Sequence, residues 1–247
     1  MALALSPEAF AVLFAAIAIG SLVQSLVGLG SSLVAAPIVV LVAPELVPVT
    51  LIVLSLAMPL VTLSHDRHQI DWYGLGWSLP AQIPGTVLGV WLVGVLSATT
   101  LGVFVGVMVL LGVFFTWRTV EVPITRTSLS VAGLFSAVAG TATSVGGPPI
   151  ALLYQSRPAA QVRSTLAIYF GIGAVISLVG LGLGGQIDAH AVWVALALSP
   201  GLLLGALVAF AIRRRWDPET VRAGVLWVSA AAAGLLLVRA AWDLVAR

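Results

Sequence analysis

Residues 8–43 read EAFAVLFAAIAIGSLVQSLVGLGSSLVAAPIVVLVA, and residues 128–155 read SLSVAGLFSAVAGTATSVGGPPIALLYQ. Both are predominantly apolar, and both have the wrong length for a simple membrane helix. Crossing a hydrocarbon core of about 30 Å takes about 20 apolar residues. The first stretch holds 36 residues (43 − 8 + 1), which as one α-helix would run about 54 Å. The second holds 28 (155 − 128 + 1) and would run about 42 Å. Each carries a helix-breaking cluster: Gly28-Leu29-Gly30-Ser31-Ser32 in the first, Gly146-Gly147-Pro148-Pro149 in the second. Gly favours non-helical dihedrals and Pro removes a backbone donor, so each stretch is expected to break there.

Working outward, further apolar stretches lie at about 47–63, 73–96, 99–117, 160–183, 190–212 and 219–238, joined by short loops such as His65-Asp66-Arg67-His68-Gln69. Hydrophobic residues make up 60% of the 247 positions and charged residues 8%. An ordinary soluble domain is about 25% charged, so the partner of this surface is a lipid bilayer. No long linker divides the chain, and residues 1–247 read as one transmembrane domain. Met1 to Pro7 carries no basic residue, so the first apolar stretch is expected to be retained and not cleaved as a signal peptide. The net charge of +2 rests on eleven Arg and no Lys, confined to loops and chain ends. Nucleic-acid binding would cluster that charge on one polar face, and is excluded. The absence of Cys removes thiolate nucleophiles, disulfides and Cys-based metal sites.

Arginine placement discriminates between two topologies. If all eight stretches cross, Arg67, Arg118, Arg126, Arg239 and Arg247 lie on one side and the other six on the opposite side, with no bias. If 8–43 and 128–155 are hairpins that return to their own side, only Arg239 and Arg247 oppose the other nine. The positive-inside rule favours the hairpins.

The two halves also repeat. Pro84-Gly85 followed by Gly89 recurs as Pro200-Gly201 followed by Gly205, 116 positions later (200 − 84). Thr50-Leu51 recurs as Thr165-Leu166 (165 − 50 = 115), and Ile70-Asp71 as Ile187-Asp188 (187 − 70 = 117). Ser97-Ala98-Thr99-Thr100 and Asp217-Pro218-Glu219-Thr220 both read as the N-cap of the last helix in their half. The expected fold is an all-α integral membrane protein of two inverted repeats, about 8–117 and about 126–243. Each repeat is a broken or re-entrant helical hairpin plus three transmembrane helices, a recurring transporter design.

Irregular backbone at membrane depth is tolerated where it is buried in protein or lines a wet cavity. The candidate substrate site is therefore built on the breaks: Gly28, Gly30, Ser31 and Ser32 in the first, Gly146, Gly147 and Pro148 in the second. Two helix N-termini meeting there would present N–H donors and partial positive charge to a small anion. Gln24, Thr143 and Ser144 flank the breaks, Thr50 and Thr165 open corresponding helices, and Gln82 precedes Pro84. Their hydroxyls and amides can donate to an oxyanion, or bond back to a helical carbonyl. Tyr154 and Tyr169 read as interfacial anchors ahead of lining residues.

No Asp, Glu, Lys or Arg falls well inside an apolar stretch, so no proton relay is visible. His65, His68 and His190 lie in or beside polar loops, away from any metal set. Ser31 would need a base at membrane depth to act as a nucleophile, and no His lies there. No catalytic residue, metal or cofactor is expected.

At these residues the chain resembles the TauE/SafE family, the sulfite exporter-like permeases. The first half matches in Gln24-Ser25-Leu26-Val27-Gly28-Leu29-Gly30 with Pro37. The second matches in Gly140, Val145-Gly146-Gly147-Pro148-Pro149-Ile150-Ala151-Leu152 and Arg163-Ser164-Thr165-Leu166-Ala167. Ser31 and Ser32 stand where the family often has further glycines, a departure that bears on substrate choice or supplies a cap. The resemblance implies export of small sulfur oxyanions or organosulfonates, such as sulfite or sulfoacetate, across a bacterial inner membrane. The competing readings are a passive anion channel of the same fold and a non-transporting membrane scaffold. Either a monomer or a homodimer is compatible with the sequence.

Overall fold

The computed structural model describes residues 5–27, 31–63, 69–117, 122–212 and 218–245. Every regular element among them is helical: α1 (Pro7–Val27), α2 (Ser31–Val42), a 3-10 turn (Pro44–Leu46), α3 (Val49–Ser55), α4 (Ala57–Leu63), α5 (Trp72–Val95), α6 (Ala98–Trp117), α7 (Arg126–Thr143), α8 (Gly147–Tyr154), α9 (Ala159–Leu183), α10 (Ala189–Ile212) and α11 (Pro218–Val245). Five of them, α1, α5, α6, α9 and α10, are long and apolar enough to cross a membrane. They turn large apolar side chains outward as well as inward, among them Ile83, Val87, Trp91, Leu207 and Phe210. A helix apolar all round belongs in lipid or in a large core. Outward residues of this kind fit a lipid-facing surface.

Hydrogen bonds between helix ends sort the bundle into two ends. At one, the Thr50 hydroxyl, opening α3, donates to Ala191 O at the start of α10 (2.9 Å). There too Gln186 donates to Val90 O near the end of α5 (3.0 Å), and Arg239 in α11 to Leu41 O at the end of α2 (2.9 Å). At the other end, Asp71 N–H donates to Thr165 Oγ1 (3.0 Å) and the Tyr154 hydroxyl to Asp71 Oδ2 (3.0 Å). Gln155, just past α8, donates there to Phe115 O in the last turn of α6 (2.9 Å).

These contacts fix the path of both long stretches. Helix α1 runs beside α10 and in the same direction, with Phe14 at Gly201 and Ala18 at Gly205. It therefore starts at the end where α2 finishes. Helix α7 runs likewise beside α5, with Leu134 at Gly85 and Val138 at Gly89. It starts where α8 finishes. Both stretches turn back on themselves.

The local chemistry of the turns accounts for this. A Cβ on Gly20 would lie 2.7 Å from Ser31 O, so only glycine lets the start of α2 lie against α1. Helix α7 ends at Ser144, which adopts the left-handed conformation at φ 62°. The Ser136 hydroxyl donates to Gly146 O, and a Cβ on Gly146 would lie 2.5 Å from Ser136 O. Gly28 and Gly30 lie outside the described residues.

One expected element differs. Residues 47–63 do not form a single spanning helix; they divide at Leu56 into α3 and α4. Pro59 is the cause, because its ring excludes the carbonyl of residue 55 and it has no N–H to bond there. The Leu56 N–H turns instead to Val53 O at 3.2 Å. Helix α11 runs for 28 residues and carries an apolar run at Leu226–Trp242 among its described side chains. The Ser97 cap forms, accepting from Thr100 N–H at 3.2 Å, whereas Asp217 is outside the described residues.

The principal packing runs between the two halves of the chain. Helix α1 pairs with α10, α7 with α5, and α6 with α11. Buried aliphatic residues such as Leu13, Val39, Val109, Leu198 and Leu236 share one cluster drawn from both halves.

Candidate functional site

A cavity of about 110 Å³ lies where the turns of the two hairpins approach each other. A single water needs only about 10–15 Å³ by this measure, so the space admits several waters or a small solute. The first hairpin contributes Gln24, Ser31 and Ser32; the second contributes Ser136, Gly140, Ser144, Gly146, Gly147 and Pro148. Ser55, Pro59 and Thr62 reach it from the broken α3–α4 segment, and Gln82 from α5. Helix α9 closes the remaining side with Arg163, Ala167, Phe170, Ala174 and Ser177, a stripe at spacings of four, three, four and three. That periodicity keeps them on one helix face. Tyr169 and Gly173 flank the stripe.

Among the described residues of the lining, Arg163 is the charged side chain. Among the described residues no group of three or more His, Asp or Glu is placed to hold a metal ion. At the start of α8, Gly146 is the N-cap and Gly147 the first helical residue. Pro148 and Pro149 follow without N–H groups, so Gly147 supplies the first-turn donor. At α2, the Ser31 N–H is held by Gln24 Oε1 (3.2 Å), which places that amide across the break.

The hydroxyls are mostly engaged with the backbone. Ser144 donates to Pro48 O (3.0 Å), Ser55 to Ile52 O (2.7 Å), and Ser136 to Gly146 O. The Tyr169 hydroxyl donates to Gly133 O (3.1 Å). Thr141 and Ser177 bond each other at 2.8 Å.

Of the residues singled out in the sequence, the fold gathers Gln24, Ser31, Ser32, Gln82, Ser144, Gly146, Gly147 and Pro148 around one space. Thr50, Thr143 and Thr165 are buried away from it. Thr50 ties α3 to α10, Thr143 donates to Ala139 O (2.7 Å) and accepts from Val145 N–H (3.2 Å), and Thr165 ties α9 to Asp71. Tyr154 and Tyr169 are not interfacial anchors, being 1% and 3% exposed. Tyr169 reaches the cavity wall, while Tyr154 bonds Asp71 outside it.

Sequence reasoning used Arg163 as a topological charge and as part of the family motif but not as a site residue, and it passed over Ser136, Gly173 and Ser177. For Arg163 and Ser177 the signal is the 3–4 spacing along α9, whereas Ser136 lies in α7 and Gly173 beside the stripe.

Comparison with known proteins agrees with this architecture. The family described as sulfite exporter TauE/SafE matches residues 12–236. A probable inner membrane transporter protein, TsaS of Comamonas testosteroni, is 28% identical over 188 residues, covering 71% of this chain and 75% of that protein. No solved structure matches. With a family match over nearly its whole length and a bundle of helices long and apolar enough to cross a membrane, the chain belongs to the sulfite exporter TauE/SafE family and is a multi-pass membrane transporter, not an enzyme.

Proposed function

We propose that this transporter exports small sulfur-containing anions, such as sulfite, sulfoacetate or related organosulfonates, from the cytoplasm of a bacterium across its inner membrane. The observation that carries the reading is the lining of the cavity, which among the described residues brings Arg163 together with the turns of two hairpins. A guanidinium matches the geometry of a sulfonate or sulfite oxygen pair with two parallel donors. Gln24, Ser31, Ser32 and the Gly147 N–H complete the donor set, and the bare glycines leave room for the oxyanion. The relative from Comamonas, itself an inner membrane transporter by name, supports the location.

The same reading treats the chain as two inverted repeats. Three supports bear on it. The repeated Pro-Gly…Gly motifs occupy the same role, since Gly85 and Gly201 each lie against a carbonyl of the other half, at Leu134 and Phe14 (134 − 14 = 120). Each half has its long hairpin arm packed on a helix of the other. The turned-back hairpins leave an odd number of passes per half, which inverts the second copy. Alternating access then follows as one hairpin and its partner helices move against the other set around a fixed site.

Sulfite and sulfonate flux in proteoliposomes tests the proposal, with Gly147→Leu filling the site. Saturable flux that falls at least tenfold in the variant is expected. Undiminished flux in Gly147→Leu removes the site, and flux without saturation turns the reading to a channel.

A further inference from the structure

The cavity has two chemically distinct walls. Around Gln24, Gly147 and Arg163 it presents donors. The wall made by α5, α7 and the middle of α9 presents the opposite. Gln82 is 2% exposed, and its amide nitrogen donates to Tyr169 O at 3.2 Å. That bond sets the orientation of the amide, because a flipped group would oppose two acceptors. Its oxygen, Oε1, is left buried with no hydrogen-bond partner. Gly173 makes the space it occupies: a Cβ there would lie 2.6 Å from Oε1. The neighbouring oxygens have committed their hydrogens elsewhere, Ser136 to Gly146 O and Tyr169 to Gly133 O. Gln82 Oε1 is the acceptor that this wall leaves unpaired.

An unpaired buried acceptor is costly relative to a satisfied one. A fully deprotonated oxyanion lying against it makes that worse. A molecule with its charge at one end and an O–H or N–H at the other satisfies both walls together. We propose that Gln82, with Ser136 and Tyr169, selects anions that carry a hydrogen-bond donor remote from, or attached to, the anionic group. Hydroxylated or aminated short-chain sulfonates fit, as does hydrogensulfite in preference to its dianion. This inference rests on the reading that the cavity binds the transported anion. It adds that the site discriminates by donor.

The test compares 2-hydroxyethanesulfonate with ethanesulfonate, which differ by the hydroxyl alone, as initial rates in proteoliposomes holding the full chain. The wild-type protein is expected to favour the hydroxylated anion by about tenfold or more, as in sites built to pair a substrate hydroxyl. The ratio is expected to fall to within about twofold of unity in Gln82→Met, which fills the volume without the acceptor. Gly173→Ala, which drives a methyl against Oε1 from α9, is expected to do the same, so either variant decides if the other fails to fold. Equal wild-type rates for the two anions overturn donor selection and leave the transport reading standing. A wild-type preference that survives in every variant that folds overturns the assignment to this wall. Transport of neither anion overturns both.

Discussion

Gly205 of α10 sits on the carbonyl oxygen of Ala18 in α1 so closely that a Cβ built at Gly205 would overlap it. The equivalent pair in the other half is Gly89 of α5 against Val138 O of α7, where a Cβ would lie 3.1 Å away and 2.6 Å from Thr141 Cβ. Backbone cannot swing aside as a side chain can. Gly205→Ala is therefore expected to lower stability by about 1–3 kcal/mol, the usual range for overpacking a filled interior. Gly89→Ala, which meets chiefly a threonine side chain, should cost less. Gly234→Ala on α11, where nothing lies within 4 Å, is the control and should be neutral. Thermal unfolding of the purified protein in detergent ranks the three.

The pairing of helix ends places residues 123 and 160 at one end of the bundle and residues 98 and 189 at the other. The chain is free of Cys, so single cysteines at Pro123, Ala160, Ala98 and Ala189 report without background. An impermeant maleimide applied to intact cells should label the second pair and spare the first, if the arginine-rich end is cytoplasmic. Labelling of 123 and 160 from opposite sides would mean that residues 128–155 cross the membrane.

Arg163 carries the positive charge of the cavity. A charge-assisted hydrogen bond contributes about 1.5–3 kcal/mol, which converts to about 10- to 100-fold in affinity. Arg163→Gln should raise the half-saturating concentration of sulfite or sulfonate by that order. Arg163→Lys should recover part of it, because an ammonium keeps the charge but loses the two-pronged fit. Concentration-dependent flux in liposomes separates the variants.

Ser144 joins two effects that two substitutions pull apart. Its left-handed backbone costs a non-glycine residue about 1–2 kcal/mol, while its hydroxyl holds Pro48 O at 3.0 Å. Ser144→Ala keeps the backbone cost and loses the bond, so it should destabilise by about 1 kcal/mol. Ser144→Gly loses the bond and also the cost, and should come out close to the wild type. An alanine variant as stable as the glycine variant would mean that the αL conformation is not maintained.

Much of the architecture was legible from residues alone. Two overlong apolar stretches with Gly and Pro clusters inside them fit either a bent pass or a turned-back chain, and the placement of the arginines favours the second. The Pro-Gly…Gly repeats marked positions where helices approach within contact of a backbone. What stayed hidden depended on neighbours far along the chain. Pro59 was visible, yet the apolar run around it masked the break it causes between α3 and α4. Arg163 read as a topological charge because it stands four residues inside α9, and only the placement of the two hairpins makes that turn face a cavity. Thr50, Thr143 and Thr165 looked like ligand donors, but a hydroxyl cannot declare from sequence whether it bonds a solute or a carbonyl of a packed helix.

The exchange of hairpin arms between halves has a consequence for synthesis. Phe14 and Ala18 leave the ribosome well before the glycines that receive them, Gly201 and Gly205, which are 187 positions behind (201 − 14 and 205 − 18). Helix α1 must wait in the insertion machinery or in lipid, its docking surface unmatched, until the chain through Gly205 has been translated. Neither half has a complete set of neighbours by itself, so a chain stopped at the midpoint is not expected to fold as a smaller working unit.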